Sequence, residues 1–314
     1  MTKKKIKKVL KKMLRTIFEA GQRIGIDILP RHFYSEIPYI EELRSTKWWR
    51  SEYSMKGVRG AKIKQQIGFI KSCCSPKVVK KVKSENIHKE ACKENEREGF
   101  GSVEADFLFA FVAAKKPSQI FQIGCGVSTA VCLTAAEYAG YDPEVFCVDP
   151  YPNDFLLRSD EKDDISLIQK GAEKIKIKNI KNLEDDLLFF VDSTHSLGPS
   201  GEVTRIILEM LPRLKEGAYV HFHDINFPYD YGRNVLDSSL FFGHEGALLL
   251  SFLVSNSRFR ILVSQSMLHY SNPGKLKKYL PGYSPAPSAD GLSVGKGDFP
   301  SSTYLKVTER RTKR

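Results

Sequence analysis

Three short stretches of this 314-residue chain bring chemically able side chains close together in sequence. Gly124-Cys125-Gly126 runs into Ser128 and Thr129, Asp192-Ser193 is followed by His195, and His223 is followed by Asp224. Glycines let backbone approach a ligand where a Cβ would obstruct, and the free N–H groups opening the next helix favour an anionic group. The first stretch therefore predicts a cradle for a nucleotide-like ligand. Asp149 stands 25 positions after Gly124, near the spacing at which an acid at the tip of a second strand meets a ribose hydroxyl. His195 and His223 are the candidates for moving a proton near neutral pH. His223 ranks slightly ahead, because Asp224 is its neighbour and Asp192 ends the adjacent strand.

These groups need a scaffold that delivers them to one place. Pro117 to Ile123 is a short apolar run that breaks into the glycine turn and then an alanine-rich helix over about 128–139. Glu144–Val148 predicts a second strand ending in Asp149, and Ile165–Ile168 a third. Asp186–Val191 predicts a fourth that delivers Asp192, Ser193 and His195, and Gly217–Phe222 a fifth that delivers His223 and Asp224. Helices are predicted over 105–114 with Ser102 as N-cap, over 201–215, and over about 235–256. Strands at Phe259–Ser264 and Thr303–Thr308 flank a Pro-, Gly- and Ser-rich stretch, 271–300, that reads as a disordered loop or a lid. The alternation of strands and helices predicts an α/β fold with a doubly wound parallel sheet, in which ligands lie beyond the carboxyl ends of the strands. His221, alternating with Phe222, reads as a core histidine.

The net charge of +12 resides in the ends: residues 1–15 carry eight basic side chains and no acid, and residues 306–314 five against Glu309. The neutral body argues against a nucleic-acid partner. Residues 3–18 set Ile6, Val9, Leu10, Met13, Leu14, Ile17 and Phe18 on one helical face and lysines on the other. The favoured reading is a helix docked on its own domain or on a partner subunit of a homo-oligomer. The alternative is a helix lying on the anionic inner face of a membrane. Residues 29–60 are aromatic and proline-punctuated and predict a segment wrapped on a surface. Residues 71–98 predict a solvated helical hairpin or loop. The domain expectation is an extension over 1–97 and a ligand-binding domain over 98–314. Six cysteines without a C-x-x-C pair, behind a basic segment that lacks an apolar signal core, predict reduced thiols in a cytoplasmic protein.

Taken in order, Gln-Ile-Gly-Cys-Gly-Val-Ser-Thr, Val-Asp-Pro, Leu-Phe-Phe-Val-Asp-Ser-Thr-His and Leu-Pro-Arg-Leu-Lys-Glu-Gly-Ala-Tyr-Val-His-Phe-His-Asp-Ile resemble the class I S-adenosylmethionine-dependent methyltransferases. They are most similar to the bacterial subgroup with Asp-Ser-Ser-His and His-Phe-His-Asp strand ends. The resemblance extends from about 98 to 265, and more loosely to Arg31–Pro38. It implies a seven-stranded Rossmann-like sheet whose last strand is antiparallel, with S-adenosylmethionine as cofactor. Gly124 and Gly126 would pass under the methionine moiety, Ser128 and Thr129 would donate hydrogen bonds, Asp149 would bind the ribose diol and Asp192 would lie near the sulfonium. Gln122, Cys125 and Ser193 complete the cofactor set, Gln122 standing where an acid is usual. The implied reaction is O-methylation of a small-molecule or glycan hydroxyl, with His223 or His195, assisted by Asp224, taking the proton. A divalent metal such as Mg on Asp192, His223 and Asp224 is a further implication, set against a purely hydrogen-bonding role for the two acids. The rivals are an NAD-type dehydrogenase, disfavoured by the missing third glycine, and a catalytically silent scaffold or membrane-surface docking protein.

Overall fold

The computed structural model describes residues 3–33, 35–199, 201–233, 235–237, 240–288, 291–295 and 298–309. The chain forms two compact units, 1–46 and 47–314. The expected boundary at 97/98 therefore does not separate compact units, because residues 47–97 belong to the larger one.

In the first unit, α1 (Lys3–Arg23) extends the expected amphipathic helix by five residues and α2 spans Ile40–Ser45. Phe33, within the segment expected to wrap a surface, is 97% exposed; Tyr34 lies outside the described residues.

The larger unit begins with three helices, α3 (Ile63–Cys73), α4 (Pro76–Ser84) and α5 (Ile87–Asn95). They are not merely solvated. Ile70, Val78, Val82, Ile87 and Ala91 are buried in the same core as α6 (Ser102–Lys115). Every residue of α6 from Val103 to Phe111 is buried, the signature of a helix covered on all sides. Its cap is Gly101 rather than Ser102; the Ser102 hydroxyl donates to Asp298 instead.

The sheet elements follow in alternation: β1 (Gln119–Ile123), α7 (Val127–Ala139), β2 (Glu144–Val148), α8 (Asp154–Glu161), β3 (Ser166–Ile168), α9 (Ile177–Asn182), β4 (Leu187–Val191), α10 (Glu202–Arg205) and β5 (Tyr219–Phe222). The helix expected over 201–215 is α-helical only in α10. It continues as a π turn over Ile206–Met210 and a 3-10 turn over Leu211–Arg213, where Pro212 removes a backbone donor. The helix expected over 235–256 is confined to α11 (Glu245–Leu253). After β6 (Phe259–Ser264) comes α12 (Gln265–Ser271), and the stretch expected to be a loop, 271–300, holds α13 (Pro273–Tyr279) and the hairpin β7 (Ala286–Ser288) and β8 (Gly291–Ser293), before β9 (Thr303–Val307).

The seven-stranded sheet has the order β3-β2-β1-β4-β5-β9-β6, with β9 antiparallel to both neighbours. The seven-stranded Rossmann-like expectation holds. In β4, Leu188 and Phe190 enter the core under α6 and α7, while Leu187, Phe189 and Val191 enter the core on the opposite face. That alternation of side chains across a strand explains why β4 reads as an unbroken apolar run: both faces are covered.

Candidate active site

Strand register assembles the site. Ile123 pairs with Val148 and with Val191, and Val191 pairs with Phe222. The next residues along each strand, Gly124, Asp149, Asp192 and His223, therefore stand side by side at one edge of the sheet. The chain runs outward from β1 through β2 to β3 and then returns to β4 on the other side of β1. This edge is the switch point at which doubly wound sheets open a crevice.

The glycine turn is required by protein backbone rather than by a ligand alone. Gly124 has φ +79°, and a Cβ there would lie 1.8 Å from the Asp192 carbonyl oxygen. Gly126, φ +140°, would place a Cβ 2.9 Å from Asn95 Oδ1. The Gly126 N–H donates to Thr129 Oγ1 at 3.1 Å, closing the start of α7. Thr129 and Gln122 are fully buried behind the turn, Gln122 donating weakly to Ser128 Oγ at 3.5 Å. Both stand behind the turn rather than among the residues lining the crevice.

The crevice beside the turn is a cavity of about 280 Å³ whose walls include Asn95, Phe100, Cys125, Ser128, Asp149 and Asp192. Asp149 Oδ1 accepts from the Tyr151 N–H at 2.8 Å, leaving its other oxygen to a ligand. A second cavity, about 560 Å³, shares Glu98, Gly99 and Phe100 with the first and reaches Glu104, His223 and Asp224. A third, about 190 Å³, shares Asp224 and is lined by His195, Asp230, Tyr231, Phe241 and Glu245. A larger cavity of about 710 Å³, beside Tyr53, Lys62, Arg260 and Tyr270, contains none of the expected site residues. We place the chemistry in the three that meet at the sheet edge.

Where these cavities meet, two histidines and four carboxylates interlock. His195 Nδ1 lies 2.6 Å from Glu245 Oε2, and its Nε2 lies 3.4 Å from Asp192 and 3.6 Å from Asp224. His223 repeats the pattern with its nitrogens exchanged: Nε2 is 2.9 Å from Glu104 Oε2, and Nδ1 is 3.2 Å from Asp192 and 3.6 Å from Asp224. Glu104 and Glu245 are each 2% exposed. Burial alone would lower both imidazole pKa values, but the surrounding carboxylates win. Hydrogen bonds to Asp192 and Glu245, with the Glu245 and Asp224 charges, push His195 up to about 10. The charges of Glu104 and Asp192 hold His223 well above its ordinary value. Burial would raise the Asp192 pKa, yet His223 and His195 pull it far below the usual carboxylate range. Both imidazoles thus hold a proton more tightly than a free histidine does. His195 and Asp224 also hold left-handed backbone, φ +56° and +53°, a conformation that costs a non-glycine residue energy and concentrates at functional sites.

Of the expected residues, the structure gathers Asp192, His195, His223 and Asp224 into one cluster, with Ser193 Oγ donating to Glu245 at 3.4 Å. His221 is a core histidine as expected, fully buried, 2.9 Å from Ser302 Oγ and stacked on Phe190. Glu104, Glu245 and Asn95 were not singled out from the sequence. The available signal was an acid inside or at the start of an apolar, buried helix, which demands a partner. Asp192, His195 and His223 offer ligand atoms within 4.8 Å of one another, a set that could hold a metal ion.

An uncharacterized protein of Archaeoglobus fulgidus is 24% identical over 174 residues, 53% of this chain and 78% of that one. Among solved structures, an SAH-bound methyltransferase of Podospora anserina is 15% identical, covering 90% of this chain and 99% of its own, with a TM-score of 0.38. A putative methyltransferase from Thermobifida fusca is 13% identical, covering 71% and 83%, TM-score 0.34. The SAH-bound plantazolicin methyltransferase BpumL is 13% identical, covering 78% and 95%, TM-score 0.33. Residues 121–225, which carry the glycine turn, Asp149, Asp192 and both histidines of the cluster, match a family model described as a methyltransferase domain.

Proposed function

We propose that this chain is an S-adenosylmethionine-dependent methyltransferase that methylates a hydroxyl of a small molecule or glycan. The observation that carries the reading is the register of the sheet, which sets Gly124, Asp149, Asp192 and His223 side by side at the switch point, within the stretch matched by the methyltransferase-domain model.

When bound, S-adenosylmethionine supplies an electrophilic methyl on a sulfonium. The chain must bind that cation, align an acceptor oxygen in line with the methyl, and take the acceptor's proton. In this reading Asp149 binds the ribose diol and Asp192 faces the sulfonium. The His223–Glu104 and His195–Glu245 pairs follow the logic of a carboxylate-held imidazole: the acid fixes the ring and stabilises the imidazolium formed on proton uptake. The positive charge that S-adenosylmethionine would bring beside Asp192 would lower the affinity of His195 and His223 for their protons, so that one of them could serve as the base. Asp224, between the second and third cavities, is positioned to receive the acceptor.

A divalent metal would polarise the acceptor hydroxyl. The residues that would hold it are Asp192, His195 and His223, rather than the set with Asp224 implied by resemblance. Two imidazoles held from behind by buried carboxylates suit a borderline ion such as zinc better than magnesium, which prefers oxygen.

Titration calorimetry tests the reading. Both S-adenosylmethionine and its demethylated product should bind and compete. Asp149→Ala should weaken binding by about 10- to 100-fold, the loss of a charge-assisted hydrogen bond. Absence of heat together with absence of competition rejects it.

A further inference from the structure

The first unit, residues 3–46, is rich in side chains that a water-exposed surface does not favour. Val9, Leu10, Met13 and Ile17 on α1 are 46–57% exposed, and Phe33 is 97% exposed. At about 100° per residue these four helical positions fall within an arc of roughly 100°. The opposite arc carries Lys5, Lys7, Lys8, Lys11 and Lys12, all exposed. None of these five lysines has an ion-pair partner among the described residues, whereas Arg15 is paired with Glu19 at 2.7 Å.

We propose that α1 lies in the interface of an anionic lipid bilayer, apolar arc down and lysines among the headgroups. The choice follows from charge and face together. A nucleic acid would neutralise the lysines but leave the apolar arc in water. A groove on another protein would cover the arc but leave five charges uncompensated. A bilayer surface with negative headgroups accepts both at once. At 21 residues the helix is long enough for this contact, while among the described residues no helix is long and apolar enough to cross a membrane. Phe33 adds a bulky apolar side chain of the kind that settles at such an interface.

The test uses the full chain and sedimentation with vesicles, either pure phosphatidylcholine or with about 30% phosphatidylglycerol. Binding to the anionic vesicles should exceed binding to the neutral ones at least about tenfold at low salt, and fall as salt rises through the Debye screening range. Leu10→Glu with Met13→Glu should abolish it, and so should Lys8→Glu with Lys11→Glu, while the thermal transition of the larger unit stays unchanged. Equal binding to both vesicle types, or none to either, overturns the proposal. So does binding to duplex DNA that survives the apolar-arc variant while vesicle binding is absent. An apolar-arc variant that only converts an oligomer to a monomer assigns the arc to a second copy of this chain and overturns it equally.

Discussion

Each imidazole of the cluster has one nitrogen committed to a buried carboxylate and the other turned to Asp192 and Asp224. At this scale Glu104 and Glu245 set the state of the site. Glu104 also accepts from the hydroxyls of Ser301 at 3.2 Å and Ser302 at 2.6 Å, so its carboxylate is satisfied as well as buried. Replacing either acid with its amide keeps the shape and removes the charge. Glu245→Gln should therefore lower the His195 pKa from about 10, and Glu104→Gln should lower that of His223, each by at least about one unit. Imidazole NMR titration of metal-free protein reads the shift directly; unchanged values would show that the pairs do not control the histidines.

At the scale of elements, the turn after β1 and the end of β4 act as one unit, because the Gly124 backbone abuts the Asp192 carbonyl. Gly124→Ala combines a positive φ with a contact that no side chain tolerates. It should destabilise the protein by about 3 kcal/mol or more and abolish the binding of S-adenosylmethionine proposed above, since Asp192 must shift. Denaturant unfolding with calorimetry checks both; a loss below about 0.5 kcal/mol would mean that the turn relaxes freely. The glycine-turn motif and the strand ends were legible in the sequence because each is local: a period, a breaker, a polar residue after an apolar run. The truncated helices at 202–213 and 245–253, and the order within 265–293, were not legible. Pro212 and the packing of α12 and α13 decide them, and neither leaves a periodic trace.

For the molecule as a whole, the larger unit closes its C-terminal stretch onto α6 through two acids. The Gly282 N–H donates to Asp106, and Ser102 to Asp298. Burial, with the charge of Asp298 adding to it, pushes the Asp106 pKa up to about 7, against the opposing Gly282 hydrogen bond. The folded state thus keeps a proton that the unfolded chain releases near pH 4, so this group's contribution to stability falls as pH rises from about 4 to 7. The contribution lost is at most about 4 kcal/mol. Asp106→Asn should flatten that slope and raise stability above pH 7 relative to the parent. Parallel unfolding at pH 5 and pH 8 measures the difference, and identical slopes would reject a buried, protonated Asp106.

By itself the sequence determined the fold class, the succession of strands and helices and the candidacy of Asp149, Asp192, His195, His223 and Asp224, because alternation and breakers are written in neighbouring residues. Only the tertiary structure decided what those groups become. Register put Asp192 between two histidines, while α6 brought Glu104, 119 residues before His223, behind that ring and α11 brought Glu245, 50 residues after His195, behind the other. A buried charge takes its partners from whatever the fold packs beside it, and no spacing along the chain encodes that choice.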